Sequence, residues 1–222
     1  MKILNQSLFS ILAQQALGLP KTVLQVGASA GQEIDEFWSE GIRAGIFLEP
    51  LDIPFEILTQ RCEGKPNFLP LQALALSKDN TEADFFIASN GGQSSSILEP
   101  NKHLNHYPHV SFKDSIKIKG YQVDTLTTIA KQSNRGLPAV YDLFFLDVQG
   151  AELEVMKGAS NQLLHGRYIY SEVCDGDGYK GDVRLTDLLI FLRSFGYKAI
   201  ALELDSKKGY GNCLWSREHD LS

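Results

Sequence analysis

Cysteine is scarce in this 222-residue chain: Cys62, Cys174 and Cys213 lie far apart, with no C-x-x-C pair among them. No disulfide framework can be written from so sparse a set, and no His stands at zinc-finger spacing from it. The pattern suits reduced thiols in a cytoplasmic protein. Basic residues are outnumbered as well, 21 Lys and Arg against 27 Asp and Glu, for a formal net charge of −6 and no Lys/Arg-rich run. Phosphate backbones require a basic footprint, so no nucleic-acid partner is expected. Long apolar runs are also missing. The opening stretch MKILNQSLFSILAQQALGLP is interrupted by Asn5, Gln6, Gln14 and Gln15, which excludes a membrane span and makes a poor secretory leader. Leu4, Leu8, Ile11 and Leu12 recur there at helical spacing, so residues 1–20 are expected to form an amphipathic helix packed on the domain. Repeats, low-complexity blocks and linkers are absent, and one domain over 1–222 is the expectation.

What is present is ordinary material for a core: 43% hydrophobic and 22% charged residues. TVLQVGA (22–28) reads as a strand reaching a Gly, followed by the helical GQEIDEFWSEG. AGIFLEP (44–50) is a second strand and PFEILTQRCEG a second helix. NFLPLQALAL (67–76) is a third strand region with Pro70 inside it, and ADFFIAS (83–89) an added antiparallel strand. SIKIKGYQVDTLTTIAKQ gives a strand and then a helix from Asp124 or Thr125. YDLFFLDVQGAELEVMKGA (141–159) and GRYIYSEVC (166–174) supply two further strands, each tipped with an acid. DVRLTDLLIFLRSFG (182–196) is an amphipathic helix, and YKAIALEL and GNCLWSRE close the chain as strands. This alternation predicts an α/β fold with a mainly parallel central sheet and helices on both faces. Ligands of such sheets sit beyond the carboxyl ends of the strands, which singles out Gly27, Glu49, Asp147 and Glu172.

In VGASAGQ (26–32), Gly27 and Gly31 flank Ala28, Ser29 and Ala30 between a strand and a helix. Missing side chains let a backbone approach a ligand, and a helix start favours an anionic group. Glu49, followed by Pro50, lies 22 residues beyond Gly27 at the next strand tip. An acid at that spacing suits the hydroxyls of an adenosine ribose. Ser29 stands where a pyrophosphate-binding loop needs its middle Gly, so a dinucleotide is disfavoured. S-Adenosyl-L-methionine carries no phosphate and tolerates a small residue there. GASAG also matches the G-x-S-x-G nucleophile elbow of hydrolases, with Ser29, Asp147 and either His165 or His219 in the required order. Against that reading, the elbow follows the first strand and no oxyanion-hole motif precedes it.

Asp147 ends an apolar strand, Gly150 permits a tight exit, and Glu152 falls in the first helical turn, where negative charge is favourable. The stretch LDVQGAELEVMKGA resembles the signature of the FkbM-type methyltransferases, within the class I S-adenosylmethionine-dependent enzymes. VGASAGQ, FLEP, GGQSSSIL and VDTL (123–126) follow in that family's order across about residues 22 to 200. The resemblance implies a Rossmann-like class I methyltransferase fold with an antiparallel C-terminal strand, and S-adenosyl-L-methionine as cofactor. It implies that Gly27, Ala28, Ser29 and Gly31 border the methionine end, that Glu49 with Pro50 holds the ribose, and that Asp147 faces the methyl-transfer cleft. The implied acceptor is a small molecule with a hydroxyl group, on a sugar or a secondary metabolite. Two positions depart from the family pattern: Phe145 replaces a frequent Lys and Gln149 a frequent Glu. Those departures keep a noncatalytic cofactor-binding domain as the rival reading.

Asn90 to about Ser111 reads as a long loop on the acceptor side. It carries His103, His106 and His109, whose ordinary pKa suits proton transfer near neutrality. His106, Asp147 and Glu172 are the candidate catalytic residues. Ser94, Ser95 and Ser96 could cap a helix from Ile97 or bind a polyol. EVCDGDGYKGD (172–182) invites a calcium reading, but counting from Asp175 puts Lys180 at the sixth place and Thr186 at the twelfth, so an EF-hand is rejected. No metal is expected, with a looser divalent site on Asp147 and Glu172 as the alternative.

Overall fold

The computed structural model describes residues 2–3, 6–175, 177–205 and 207–217, apart from the side chains of Lys2, His103 and Lys113. In chain order the elements are β1 (Lys2–Ile3), β2 (Gln6–Ser7), α1 (Leu8–Gln14), β3 (Thr22–Val26), α2 (Ile34–Ser39), β4 (Ala44–Leu48) and α3 (Asp52–Cys62). They continue as β5 (Phe68–Leu71), β6 (Leu74–Ala75), β7 (Thr81–Ala88), α4 (His103–His106), β8 (Phe112–Tyr121), α5 (Val123–Ser133) and β9 (Leu143–Leu146). The last are α6 (Glu152–Lys157), α7 (Ser160–His165), β10 (Tyr168–Cys174), α8 (Leu185–Ser194), β11 (Tyr197–Leu204) and β12 (Tyr210–Arg217).

A seven-stranded sheet runs in the order β11-β12-β10-β9-β3-β4-β5. Neighbours from β10 to β5 pair in parallel, and β12 is antiparallel to both β10 and β11. The expected α/β class and antiparallel C-terminal strand are both present. Strand periodicity explains why β9 reads as an unbroken apolar run. Leu143 and Phe145 point into one layer with α1, α2 and α3, while Phe144 and Leu146 point into the other with α5, α6, α7 and α8. A strand covered on both faces has no polar side to show.

Pro70 is accommodated because β5 is the last strand of the sheet, where a missing amide breaks no second ladder. The expected single strand over 67–76 divides after it: β5 stays in the main sheet, and β6 joins β8 and β7 in a separate three-stranded sheet. The helix expected after Glu152 is likewise two short helices. They part at Gly158, where an added Cβ would stand 2.1 Å from the Leu76 carbonyl oxygen. The N-terminal helix is shorter than the 1–20 expected. The β1 and β2 strands pair antiparallel, and α1 begins only at Leu8, where the Ser7 side chain accepts from the Ser10 amide.

Leu8, Ile11 and Leu12 are buried as expected, with Phe9 beside them, so α1 is amphipathic; Leu4 lies outside the described residues. No helix among the described residues is long and apolar enough to cross a membrane. Cys62, Cys174 and Cys213 are free and buried. Burial pushes the Cys62 thiol up to about 11 and the Cys213 thiol up to about 12.

Candidate active site

The chain leaves β3 through Gly27 and turns on three left-handed residues, Gly27 (φ 78°), Ser29 (φ 47°) and Gly31 (φ 72°). The amides of Gly27 and Ala28 both donate to the Leu48 carbonyl, at 3.1 and 2.9 Å, which ties the turn to the tip of β4. Gly27 is required by protein rather than by ligand. A Cβ there would lie 1.9 Å from the Asp147 carbonyl oxygen, so the β3 and β9 tips could not meet. At Gly31 a Cβ would press on Leu58 Cδ1 at 2.9 Å, which makes that glycine a packing point for α3.

Glu49 turns back beneath this loop and is 6% exposed. Its Oε2 accepts from the Ser29 amide at 2.9 Å and its Oε1 from the Leu51 amide at 2.8 Å. Burial pushes its carboxyl up to about 7, and the two backbone donors pull it partway back. Each oxygen keeps a lone pair for a further donor. Beside it opens a cavity of about 560 Å³, counting space open to solvent. Gly27, Ser29, Glu49, Pro50 and Asp147 line its polar end, and apolar side chains including Leu74, Phe85, Ile97, Val148 and Val155 line the rest. Ala28, fully buried in the core, and Gly31 are outside the lining.

A second cavity, about 800 Å³ by the same measure, meets the first at Asp147 and Gln93. Its walls are the β9 and β10 tips, with Gln149 and Glu172, and the loop from Asn90 to Val110. The Gln149 Nε2 lies 2.7 Å from Asp147 Oδ1 and 3.1 Å from Glu172 Oε2. Asp147 is exposed to solvent at the junction of the two cavities, yet the protein around its carboxyl desolvates it and pushes it up to about 6; the Gln149 bond lowers it and Glu33 raises it. Desolvation drives Glu172 well above its ordinary value, with Asp147, Glu152 and Asp182 adding like charge. Glu152, 1% exposed, accepts from the Val148 and Gly150 amides and so fixes the turn after β9. Burial raises it to about 7.

Of the loop histidines, His109 lines the second cavity, whereas His106 sits at the end of α4 with its ring edge-on to Tyr210, centroids 6.3 Å apart. No helix starts at Ile97. Ser95 Oγ accepts from the Ala88 amide, and Ser96 Oγ donates to the Gln149 carbonyl at 2.9 Å. Tyr179 donates to the Ser94 carbonyl at 2.8 Å and lies 3.2 Å from Gln149 Oε1. Sequence reasoning passed over Tyr107, Tyr179 and Tyr210, for which nothing but proximity to the acidic stretch and the long loop served as a signal.

The acidic run is structural: Asp177 pairs with Lys102 at 2.6 Å and Arg184 at 2.7 Å, and Asp182 accepts from the Gly178 and Tyr179 amides. No group of three or more His, Cys, Asp or Glu able to hold a metal occurs among the described residues. The nucleophile-elbow alternative fails on geometry. Ser29 Oγ is buried with no hydrogen-bond partner, and His165 is exposed at the end of α7, just before β10 begins, at the opposite end of the sheet. His219 lies outside the described residues.

A parallel sheet with an antiparallel strand beside β10 and a cleft at the strand tips is a Rossmann-like arrangement. Known proteins agree. The methyltransferase FkbM domain model matches residues 25–199, and the chain belongs to that family. The 2-O-methyltransferase NoeI of Sinorhizobium fredii (strain NBRC 101917 / NGR234) is 29% identical over 179 residues, covering 78% of this chain and 71% of that protein. Among solved structures, the ribosomal protein L11 methylase of Lactobacillus delbrueckii subsp. bulgaricus superposes with a TM-score of 0.50 at 10% identity, over 94% of this chain and 76% of that one. The fibrillarin/Nop5p complex does so with a TM-score of 0.50 at 14% identity, over 95% and 81%. At those identities the likeness concerns the fold.

The protein is thus an S-adenosyl-L-methionine-dependent methyltransferase. Its residues fit that cofactor. A buried carboxylate with unspent lone pairs suits a ribose diol, an apolar slot suits an adenine, and the nearby acids suit cationic groups.

Proposed function

We propose that the enzyme methylates a hydroxyl oxygen of a small polar acceptor, a sugar or a related polyhydroxyl metabolite, held in the second cavity. The observation that carries this reading is the meeting of the two cavities at Asp147. Bound S-adenosyl-L-methionine supplies an electrophilic methyl group on a sulfonium. Glu49 would hold the ribose, Gly27 and Ser29 would border the methionine end, and Pro50 would close one wall. Asp147 would take the hydroxyl proton as the oxygen attacks in line, and Glu172 would orient the acceptor through a hydrogen bond to a neighbouring hydroxyl. His109 would contact the acceptor, and His106 would assist from behind Tyr210. The name of the 2-O-methyltransferase relative favours oxygen as the methylated atom.

Lining chemistry favours a neutral or cationic acceptor. Asp147 and Glu172 face the cavity, and no Lys or Arg is among its described lining residues. A nucleic-acid backbone would meet the Asp147 carboxylate and no cation there, so RNA is not the acceptor we propose. We place the enzyme in the cytoplasm, where three free thiols stay reduced. The test is incubation with labelled cofactor and separate panels of neutral sugars, sugar phosphates and RNA. Label transferred to a neutral sugar is the expected result, and transfer to RNA alone would overturn the assignment.

A further inference from the structure

Gln149 adopts a left-handed backbone (φ 54°), which is uncommon for a residue with a Cβ. Strain of that kind persists where surrounding contacts impose it. Here Ser96 grips the Gln149 carbonyl from the 90–111 loop, and the Tyr179 hydroxyl stands beside its Oε1 from the segment before α8. Because the oxygen of the side-chain amide is turned toward Tyr179, its nitrogen faces the two acids. An amide nitrogen carries two hydrogens, and two carboxylates lie within reach.

The surroundings make those two hydrogens matter. Acids approach the Asp147–Glu172 pair from several elements: Glu33 before α2, Glu152 on α6 and Asp182 before α8. Glu203 on β11 and the phenols of Tyr170, Tyr179 and Tyr210 complete that ring, with His109 across the cavity. No Lys or Arg is among the described lining residues of this cavity; one cation, Lys208, shares a neighbouring groove with Glu172 and lies over the Tyr107 ring. The contact to Asp147 is the shorter of the two, so the amide stabilises that carboxylate's charged form more strongly.

We propose that Gln149 is a positioning residue for proton removal: its amide separates the two acids, keeps Asp147 as the charged proton acceptor, and leaves Glu172 as the partner that retains its proton. Two titratable groups whose settings differ in this way divide the acid and base roles between them. The inference rests on the acceptor-site reading for its kinetic consequence, but not for its electrostatic one.

The test is a pH titration of the side-chain carboxyls, followed by NMR in carbon-labelled protein, for the wild type, Gln149→Glu and Gln149→Met. Gln149→Glu should raise the Asp147 midpoint by about one pH unit or more, a tenfold change in the ratio of charged to neutral form. The acid limb of the kcat profile should move by the same amount, while affinity for S-adenosylhomocysteine stays within about threefold. Gln149→Met, which keeps the volume and loses both donors, should raise the midpoint by less. An unchanged midpoint in a folded Gln149→Glu overturns the proposal, and if that variant does not fold, an unchanged midpoint in Gln149→Met does so. A moved midpoint in protein that methylates no hydroxyl acceptor upholds the positioning role and removes the acceptor assignment instead.

Discussion

At the Glu49 end of the cleft the main chain makes the hydrogen bonds, while at the Asp147 end side chains make them. Glu49 is held by the Ser29 and Leu51 amides, and its neighbours Gly27 and Ala28 by the Leu48 carbonyl. Asp147 is held by Gln149, which in turn depends on Ser96 and Tyr179 from two loops far apart in sequence. Backbone donors are available to any sequence that adopts the turn, so the first half depends on the turn's conformation, and on the glycines that permit it, rather than on particular polar side chains. The second half rests on particular side chains and can be retuned by single exchanges. Under the proposed assignment, a fixed cofactor end and an adjustable acceptor end would suit one fold to many acceptors.

The sharpest way to break this contrast is Asp147→Asn. Removing a positioned base should lower kcat by roughly 10²–10⁴-fold, read as cofactor turnover at saturating acceptor. A loss under about tenfold would place the proton elsewhere. Next comes Gly27→Ala, which sets a Cβ against the Asp147 carbonyl at a left-handed position. It should destabilise by about 3 kcal/mol or more in urea unfolding, since clash and strain add. Stability equal to wild type would mean that the β3 and β9 tips can part freely.

Glu49→Ala should weaken cofactor binding by about 1.5–3 kcal/mol in titration calorimetry, the range for a hydrogen bond to a charged group. Acceptor KM should not follow, and a change in both constants would dissolve the division between the halves. Tyr107→Ala is the mirror experiment: a threefold to tenfold rise in acceptor KM, roughly what one aromatic contact contributes, with cofactor affinity kept.

The smallest effect is on the apoprotein's response to pH. Glu49 and Glu152 hold their protons to about pH 7 in the folded state against an ordinary value of 4.5. Between those values the unfolded chain releases protons that the folded chain keeps, so stability should fall as pH rises from about 4.5 to 7 and then level off. Calorimetric Tm should therefore be lower at pH 8 than at pH 5, and Glu49→Gln should flatten the slope. A Tm that climbs over this interval would contradict the buried placement of these acids.

The residues legible in the sequence were those set by periodicity: an apolar strand that runs into Gly27, Glu49 or Asp147 must place that residue at a tip, whereas Glu172, expected at a tip, lies inside β10 and reaches the cleft because β9 stops pairing at Ser171. What the glycines were for was not legible. Gly27 and Gly31 look like ligand-facing gaps, yet neighbouring protein fills both, because sequence spacing says nothing of which chain segment approaches. Gln149 read as a lost charge, whereas its amide is the link between two acids, a contact visible only once β9 and β10 lie side by side. The split of 67–76 into two sheets was hidden for the same reason: pairing partners are distant in the chain.

The three buried thiols leave the molecule a quiet background for chemical probes. Cys62 and Cys213 hold their protons far above neutral pH, and Cys174 is shielded against Asp182, so maleimide reagents have no ready native target. A single cysteine introduced at exposed Leu104 on α4, three residues before Tyr107 of the second cavity's wall, would carry a fluorophore or spin label alone. Ligand arrival could then be watched from one defined point on the wild-type cysteine framework.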